Sequence, residues 1–355
     1  MKAISPTMAF VLLLLLGITA GGGFYLYLNR IQSKVMSKSS EIMVEAEIPP
    51  KLITLSCYDV YGCAYVNTAE KLVGKMRYTV MDDRGQEVLR SGLIDVNVSG
   101  AGKICFPMPL NASGWYWVKL GTEKWEIFER CKVREDPTLV LYLKFDEGSG
   151  TVAHDSSGYG NDGTLFDANT SNSDGNTPPQ WVSGIYGYAL EFDGVDDYVE
   201  VLNSTLFHGP DITVSFWIYQ RTYGSPVSYI TKRTTTSDGL MFFMWGGYTL
   251  YFDWGDGTDS HRWDTGYAPP LSRWVHLTIT RNTNGRKLYV NGTPYANTTD
   301  AGGPIPGTNT APLRLMADTY DFRYFVNGTI DEVRIYNRAL SEAEIRAIYQ
   351  AYAGG

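Results

Sequence analysis

The sequence predicts a mainly β chain of two domains, preceded by one long hydrophobic α-helix. Three observations carry this. Ile4 to Leu28 runs without a single charged side chain. Across the whole chain, 25 Tyr, 9 Trp and 37 Gly with 19% charged residues describe a turn-rich β protein. Beyond Pro50, short runs of β-branched and aromatic residues recur about every ten residues, punctuated by Gly, Asn and Asp.

The N-terminal helix comes first. At ~1.5 Å per residue, Ile4 to Leu28 covers ~37 Å, enough to cross a hydrocarbon core of ~30 Å. Apolar character persists through Phe24-Tyr-Leu-Tyr-Leu28 into a stripe of Ile31, Val35 and Ile42, with Arg30, Lys34, Lys38 and Glu41 off it. The glycines at 21 to 23 each cost ~1 kcal/mol relative to alanine in a helix and mark a kink. Lys2, Phe10 to Leu16 and Ala20-Gly-Gly22 also fit a secretory signal peptide, which stays open as an alternative.

Lys2-Ala3-Ile4-Ser5-Pro6, leading straight into the apolar run, resembles the class III signal sequence of archaeal type IV pilins. The resemblance implies a leader of residues 1–3, cleavage between Ala3 and Ile4, and a retained helix over 4–47. That helix would sit in the membrane before assembly and then pack against like subunits in a filament core. Lys2 before the span against Arg30, Lys34 and Lys38 after it does not favour a cytoplasmic N-terminus. Sequons at Asn97, Asn111, Asn169, Asn203, Asn291, Asn297 and Asn327 are candidate glycosylation sites, and with the four cysteines they suit an extracytoplasmic location.

Residues 48–134 form the first β domain. Pro49-Pro50 breaks the helix, Leu52 to Cys57 and Cys63 to Val66 flank a turn, and Asp82-Asp-Arg-Gly85 joins a hairpin. Gly102 to Phe106, Gly114 to Leu120 and Trp125 to Val133 continue the pattern, as in an immunoglobulin-like sandwich. Of three possible pairings, Cys57 with Cys63 across the turn and Cys105 with Cys131 suits disulfide geometry. A zinc site is the rival, but the spacing is wrong for a knuckle and the domain has no histidine.

Glu135-Asp-Pro137 is the linker, and residues 138–355 are a second β domain closed by one helix. Ser341 with Glu344 reads as a capping box, and Ile345, Ile348, Tyr349 and Tyr352 make its apolar stripe. "LYLKFDEGSGTVAHDSSGYGNDG", "GYALEFDGVDDYVEV", "ITVSFWI", "RWVHLTITRNTNGRKLYVNG" and "NGTIDEVRIYNRALSEAEI" occur in that order. Together they resemble a laminin-G-like, concanavalin-A-like jelly-roll domain, which implies two packed antiparallel sheets. The fold hosts lectins, enzyme-attached modules and spacers, so function must come from the site.

Charge excludes nucleic acid as a partner. Residues 1–137 hold 16 Lys/Arg against 14 Asp/Glu, and residues 138–355 hold 14 against 24, so no basic face can be assembled. No H-E-x-x-H, G-x-S-x-G or phosphate loop appears. Glu191 and Glu200, expected on adjacent strands, are the one carboxylate pair suited to glycoside cleavage, but the two-Glu strand pattern of glucanases is missing. The expectation is a protein that is not an enzyme.

Metal binding has a compositional basis. The second domain carries 18 Asp against 6 Glu, and short carboxylates suit Ca²⁺. The jelly-roll resemblance implies a structural calcium near Asp155, Asn161 and Asp331; the alternative is that these residues cap turn amides. For ligand binding, Trp245, Tyr251, Trp254 and Trp263 lie among Asp253, Asp256, Asp259 and Asp264, a composition that suits carbohydrate. Strand alternation places Tyr248 and Trp254 with Leu250 and Phe252 in the core, so part of this set is packing. Trp217 and Trp274 are assigned to the core. These readings make the chain a pilin-like filament subunit displaying a lectin-like adhesion domain at the cell surface. A single-span adhesin that does not polymerise and a secreted carbohydrate-active enzyme with an accessory module are the alternatives.

Overall fold

Residues 49–168, 177–202, 207–224, 226–303, 305, 309–320 and 324–353 are described by the computed structural model. The leader, the Ala3/Ile4 processing site, the helix expected over 4–47 and the sequons at Asn169 and Asn203 lie outside them.

The first lobe is one antiparallel sheet of five strands: β1 (Lys51–Cys57), β2 (Tyr61–Met81), β3 (Val88–Pro107), β4 (Trp115–Gly121) and β5 (Glu126–Lys132). Its length lets β2 serve three partners. Its first part pairs with β1, its last part with β4, and β3 runs along nearly all of it from Tyr61↔Pro107 to Met81↔Val88. The sheet therefore coils, and it returns on itself where the Arg134 N–H donates to the Cys57 carbonyl at 2.9 Å. The two-sheet, immunoglobulin-like sandwich is corrected to this single coiled sheet. The short runs read separately along 61–81 and 88–107 are continuous strands, because each is paired along nearly its whole length.

The disulfide pairing is also corrected. Cys57 bonds Cys131 and Cys63 bonds Cys105. In the β1/β2 ladder Cys63 lies opposite Ser56 and Cys57 opposite Gly62. Cross-strand partners share a face and neighbours alternate, so Cys57 and Cys63 point to opposite sides of the sheet. Cys63 and Cys105 are direct cross-strand partners on β2 and β3. One bridge thus sits in the lobe's own core with Val66, Ile104 and Leu120, and the other faces the second lobe.

The second lobe is a sandwich of two eight-stranded sheets. One contains β6 (Leu139–Leu143), β9 (Gln180–Ser183), β10 (Tyr188–Asp193), β12 (Ile212–Gln220), β17 (Trp274–Asn282), β18 (Gly285–Val290), β19 (Thr293–Thr298) and β21 (Asn327–Tyr336). The other contains β7 (Val152–Ala153), β8 (Gly163–Asp167), β11 (Asp197–Val201), β13 (Val227–Lys232), β14 (Asp238–Trp245), β15 (Thr249–Asp256), β16 (Ser260–Asp264) and β20 (Leu313–Leu315). Alternate side chains meet between the sheets, among them Phe216, Phe242, Phe252, Leu277, Leu315 and Ile330. Each such side chain contributes about 1.5–3 kcal/mol by leaving water.

The central strand β12 is buried on both faces, because the C-terminal helix α1 (Glu342–Ala353) covers its outer side. The capping box forms: the Ser341 N–H donates to Glu344 Oε2 at 2.8 Å, and the Glu344 N–H to Ser341 Oγ at 3.4 Å. Ile345, Ile348 and Tyr352 then pack in one buried cluster with Trp217, Tyr289 and Tyr336 beneath and Val60, Tyr61, Cys63 and Cys105 of the first lobe above. Polar ties seal the seam. Tyr61 Oη donates to Asp136 at 2.8 Å, and Arg338 pairs with Asp136 and with Glu344. Asp136 of the linker is therefore part of the seam, while Glu135 and Pro137 on either side of it are exposed.

The fold class is corrected in one further respect. Among the described residues the structure is β throughout except for α1, and no helix is long and apolar enough to cross a membrane.

Candidate functional site

With α1 and the first lobe packed on the outer side of β12 and its neighbours, the outer face of the other sheet stays open. On β14 and β15, Leu240, Phe242, Met244, Leu250, Phe252 and Trp254 point into the core. The intervening Phe243, Trp245, Tyr251 and Asp253 point outward. Phe243 is fully buried beneath its neighbours, Tyr251 is half-buried with its ring 5.4 Å from that of Phe243, and Trp245 is 43% exposed. From β16, opposite Asp253, the Arg262 guanidinium lies 5.4 Å from the Phe243 ring and 5.7 Å from that of Trp245. Arg262 is held flat by two bonds to Asp253 Oδ2, at 2.9 and 3.2 Å. Stacking on aromatic faces and fixing by a carboxylate pre-organise the remaining donors of the fork.

The arrangement repeats along the sheet. Arg314 donates to Glu200 at 2.9 Å and lies over Tyr198, whose ring stacks on Phe166 at 5.0 Å. Arg233 pairs with Asp318 and lies over Tyr320. At the tip of the β14–β15 hairpin, Gly246, Gly247 and Tyr248 all have positive φ, the tyrosine at 67°. A non-glycine residue held there costs of order 1 kcal/mol, and the turn presents Tyr248, stacked on Tyr223 at 4.8 Å, beside Trp245.

The four aromatics singled out in the sequence therefore divide. Trp245 and Tyr251 share the outer face. Trp254 is fully buried in the sandwich, its ring 4.3 Å from the Arg281 guanidinium and its Nε1–H donating to the Gly303 carbonyl. Trp263, opposite Phe252, packs against the same core. Trp254, named among the candidate ligand residues, is packing as strand alternation already placed it, and Trp263 is corrected from ligand-facing to packing, the consequence of a period of two. Arg262, Phe243 and Tyr324 were not singled out. Tyr324, whose ring is 6.5 Å from Trp245, comes from a segment far along the chain that no local pattern connects to this hairpin. Of the two aromatics assigned to the core, Trp217 is buried under α1, while Trp274 is half-buried against Tyr219.

The residues read as calcium ligands are engaged within the fold, although Asp331 Oδ1 is buried without a hydrogen-bond partner. Asp155 accepts the amides of Tyr142, Ser157 and Asn161, each at 2.9 Å, and the Ser157 hydroxyl at 2.7 Å. The Asn161 amide group donates to the Val140 carbonyl at 2.7 Å. Asp331 is fully buried and accepts the Ile185 N–H at 2.8 Å. Burial, then the adjacent Glu332, push its carboxyl well above the usual carboxylate range. Among the described residues, the acidic group compact enough for a metal is Asp193, Asp196 and Asp197, in the turn between β10 and β11.

Glu191 and Glu200, expected on adjacent strands, lie in different sheets and are each engaged by an arginine, Arg221 at 2.8 Å and Arg314 at 2.9 Å. His276 Nε2 is 2.9 Å from Ser215 Oγ, but both are buried, and burial, then the nearby Arg334, push the imidazole down to about 3. The sequons at Asn97, Asn111, Asn291 and Asn297 are exposed, whereas the Asn327 side-chain amide is spent on the Asp193 carbonyl at 2.7 Å.

Residues 193–346 match a laminin G-type family model described as the concanavalin A-like lectin/glucanases superfamily. Adhesion G-protein coupled receptor D1 of Homo sapiens is 29% identical over 155 residues, which are 41% of this chain and 17% of the receptor, so the chain spans about a sixth of that relative. Domain 4 of AbnA, an extracellular GH43 arabinanase from Geobacillus stearothermophilus solved with arabinotriose, superposes with a TM-score of 0.50 at 20% identity, over 60% of this chain and 98% of that one. The binding domain of Paraclostridial Mosquitocidal Protein 1 gives 0.48 at 19% identity, over 61% and 52%. By fold and by the match over residues 193–346, the second lobe carries a laminin-G-like, concanavalin-A-like jelly-roll domain, which together with the two disulfides indicates an extracellular or surface protein.

Proposed function

We propose that the protein is a surface or secreted binding protein whose jelly roll holds a carbohydrate or cell-surface ligand for adhesion, on the outer face carrying Trp245, Tyr251 and Arg262. The observation that carries this is the exposed Trp245 ring over an arginine already oriented by Asp253, because a flat apolar face beside fixed polar donors is what a sugar ring requires. The arabinotriose bound to the arabinanase domain, a protein of the same fold, supports a saccharide as the first ligand class to test. The role as a filament subunit depended on residues outside the described ones and gains nothing from the comparisons.

Glycan-array binding of the purified protein, repeated with Trp245→Ala and with Arg262→Ala, tests the reading. A saccharide bound by the wild type and lost in both variants, with unchanged melting temperatures, supports it. Binding that survives both substitutions places the ligand elsewhere.

A further inference from the structure

The hairpin from β10 to β11 crosses between the two sheets, since β10 pairs with β21 in one and β11 with β8 and β20 in the other. At its turn Asp193, Asp196 and Asp197 bring one carboxylate oxygen each to within 4.8 Å of one another. Two ligands of a single Ca²⁺, each at ~2.3–2.6 Å, are at most ~5 Å apart, so these oxygens fit around one ion. Asp167, the last residue of β8, lies directly opposite Asp197 in the ladder, and like charges so placed oppose strand pairing.

A second observation points to a ligand. Asp197 is 5% exposed; one oxygen accepts the Asp193 N–H at 3.2 Å, while the other, fully buried, has no hydrogen-bond partner. Among the described residues neither Asp193 nor Asp197 pairs with a lysine or arginine. A buried carboxylate oxygen without a donor is costly, and a cation supplies what is missing. Burial, partly offset by the Asp193 N–H and reinforced by Asp193, Asp196 and Asp167, pushes the Asp197 carboxyl up to about 7.

The turn is built before any ion arrives. Asp193 Oδ1 accepts the Val195 N–H at 2.7 Å, and the Asn327 amide holds the Asp193 carbonyl at 2.7 Å. Gly194, at a φ of 83°, leaves room where a Cβ would meet Asn327 at 2.8 Å. The donors are all oxygens, with no histidine or cysteine in the group, which selects a hard cation.

We propose that Asp193, Asp196 and Asp197, with Asp167 across the ladder, form a calcium site that ties the two sheets together at this edge. Thermal unfolding of the purified full chain in about 5 mM CaCl₂ and in EDTA, with ⁴⁵Ca equilibrium dialysis alongside, tests it. Calcium should raise the melting temperature by about 5 °C, with ion retained by the wild type. Asp197→Asn should lose the shift, yet melt no lower than the wild type in EDTA, because repulsion within the cluster is relieved. Asp155→Asn should keep the shift. Should Asp197→Asn not fold, Asp193→Asn replaces it. No shift and no retained ion in the wild type, or a shift abolished by Asp155→Asn and kept by Asp197→Asn, overturns the assignment.

Discussion

The outer faces of the two jelly-roll sheets are both rich in aromatics and arginine, yet they have opposite fates. On the covered face, Arg334 lies 3.9 Å over the Tyr142 ring and donates to Glu332 Oε2 at 2.7 Å. The Tyr142 and Tyr352 hydroxyls donate to the same oxygen, each at 2.6 Å, and all four residues are buried. On the open face, Arg262 uses the same chemistry with Asp253, Phe243 and Trp245, but Arg262 and Trp245 remain exposed. The difference is α1, which with the first lobe closes one face and leaves the other free. An aromatic-arginine cluster is thus structural or ligand-facing according to what lies over it, not according to its composition.

The largest effect that sharpens this contrast is expected on the covered face. Glu332→Ala leaves the Arg334 guanidinium buried without its carboxylate, which should cost about 3–5 kcal/mol, read as a lower urea midpoint. A loss below about 1 kcal/mol would mean that water reaches the network and that the face is not closed.

Trp254→Ala and Trp245→Ala compare the two sides of one hairpin. Removing Trp254 opens a cavity in the sandwich and should cost a similar amount, about 3–5 kcal/mol. Removing Trp245 should change stability by no more than about 0.5 kcal/mol while weakening ligand binding about tenfold. Equal stability losses in the two variants would break the assignment of inner and outer faces.

The smallest effect concerns pH at the end of β16. His261 sits between Asp256 and Asp300, at 3.2 and 3.1 Å. Burial opposes its charged form, but the hydrogen bond to Asp256 and the charge of Asp300 outweigh that and hold its pKa above the ordinary value. A folded-state pKa raised above the unfolded one gives stability that is full below about pH 6.5 and is lost as pH rises through the folded value. His261→Asn should therefore destabilise by a few tenths of a kcal/mol more at about pH 5.5 than at about pH 8, measured by urea midpoints. A penalty that does not change with pH would show that the imidazole is neutral there.

Much of this was legible locally. Alternation along residues 248–254 placed Leu250, Phe252 and Trp254 on one face, although Tyr248, read with them, is exposed at the hairpin tip, and the Ser341/Glu344 capping box formed as its spacing predicts. The disulfides were not, because bridging Cys57 and Cys63 depended on which face each occupies, and a single-residue register decides that. The group at the β10–β11 turn lies within five residues, but the burial of Asp197 and the approach of Asp167 across the β8–β11 ladder are not local properties.

The sequence by itself determined what short-range physics controls: β content, the helix cap, the jelly-roll strand order signalled by its five blocks, and the acidic balance of the second domain. Only the tertiary structure decided which cysteines meet, which aromatics face solvent, and that α1 with the first lobe closes one sheet face. These are relations between strands distant in the chain, set by register and by burial of one element on another. A one-residue slip would reverse the first two while leaving composition, spacing and local propensity unchanged.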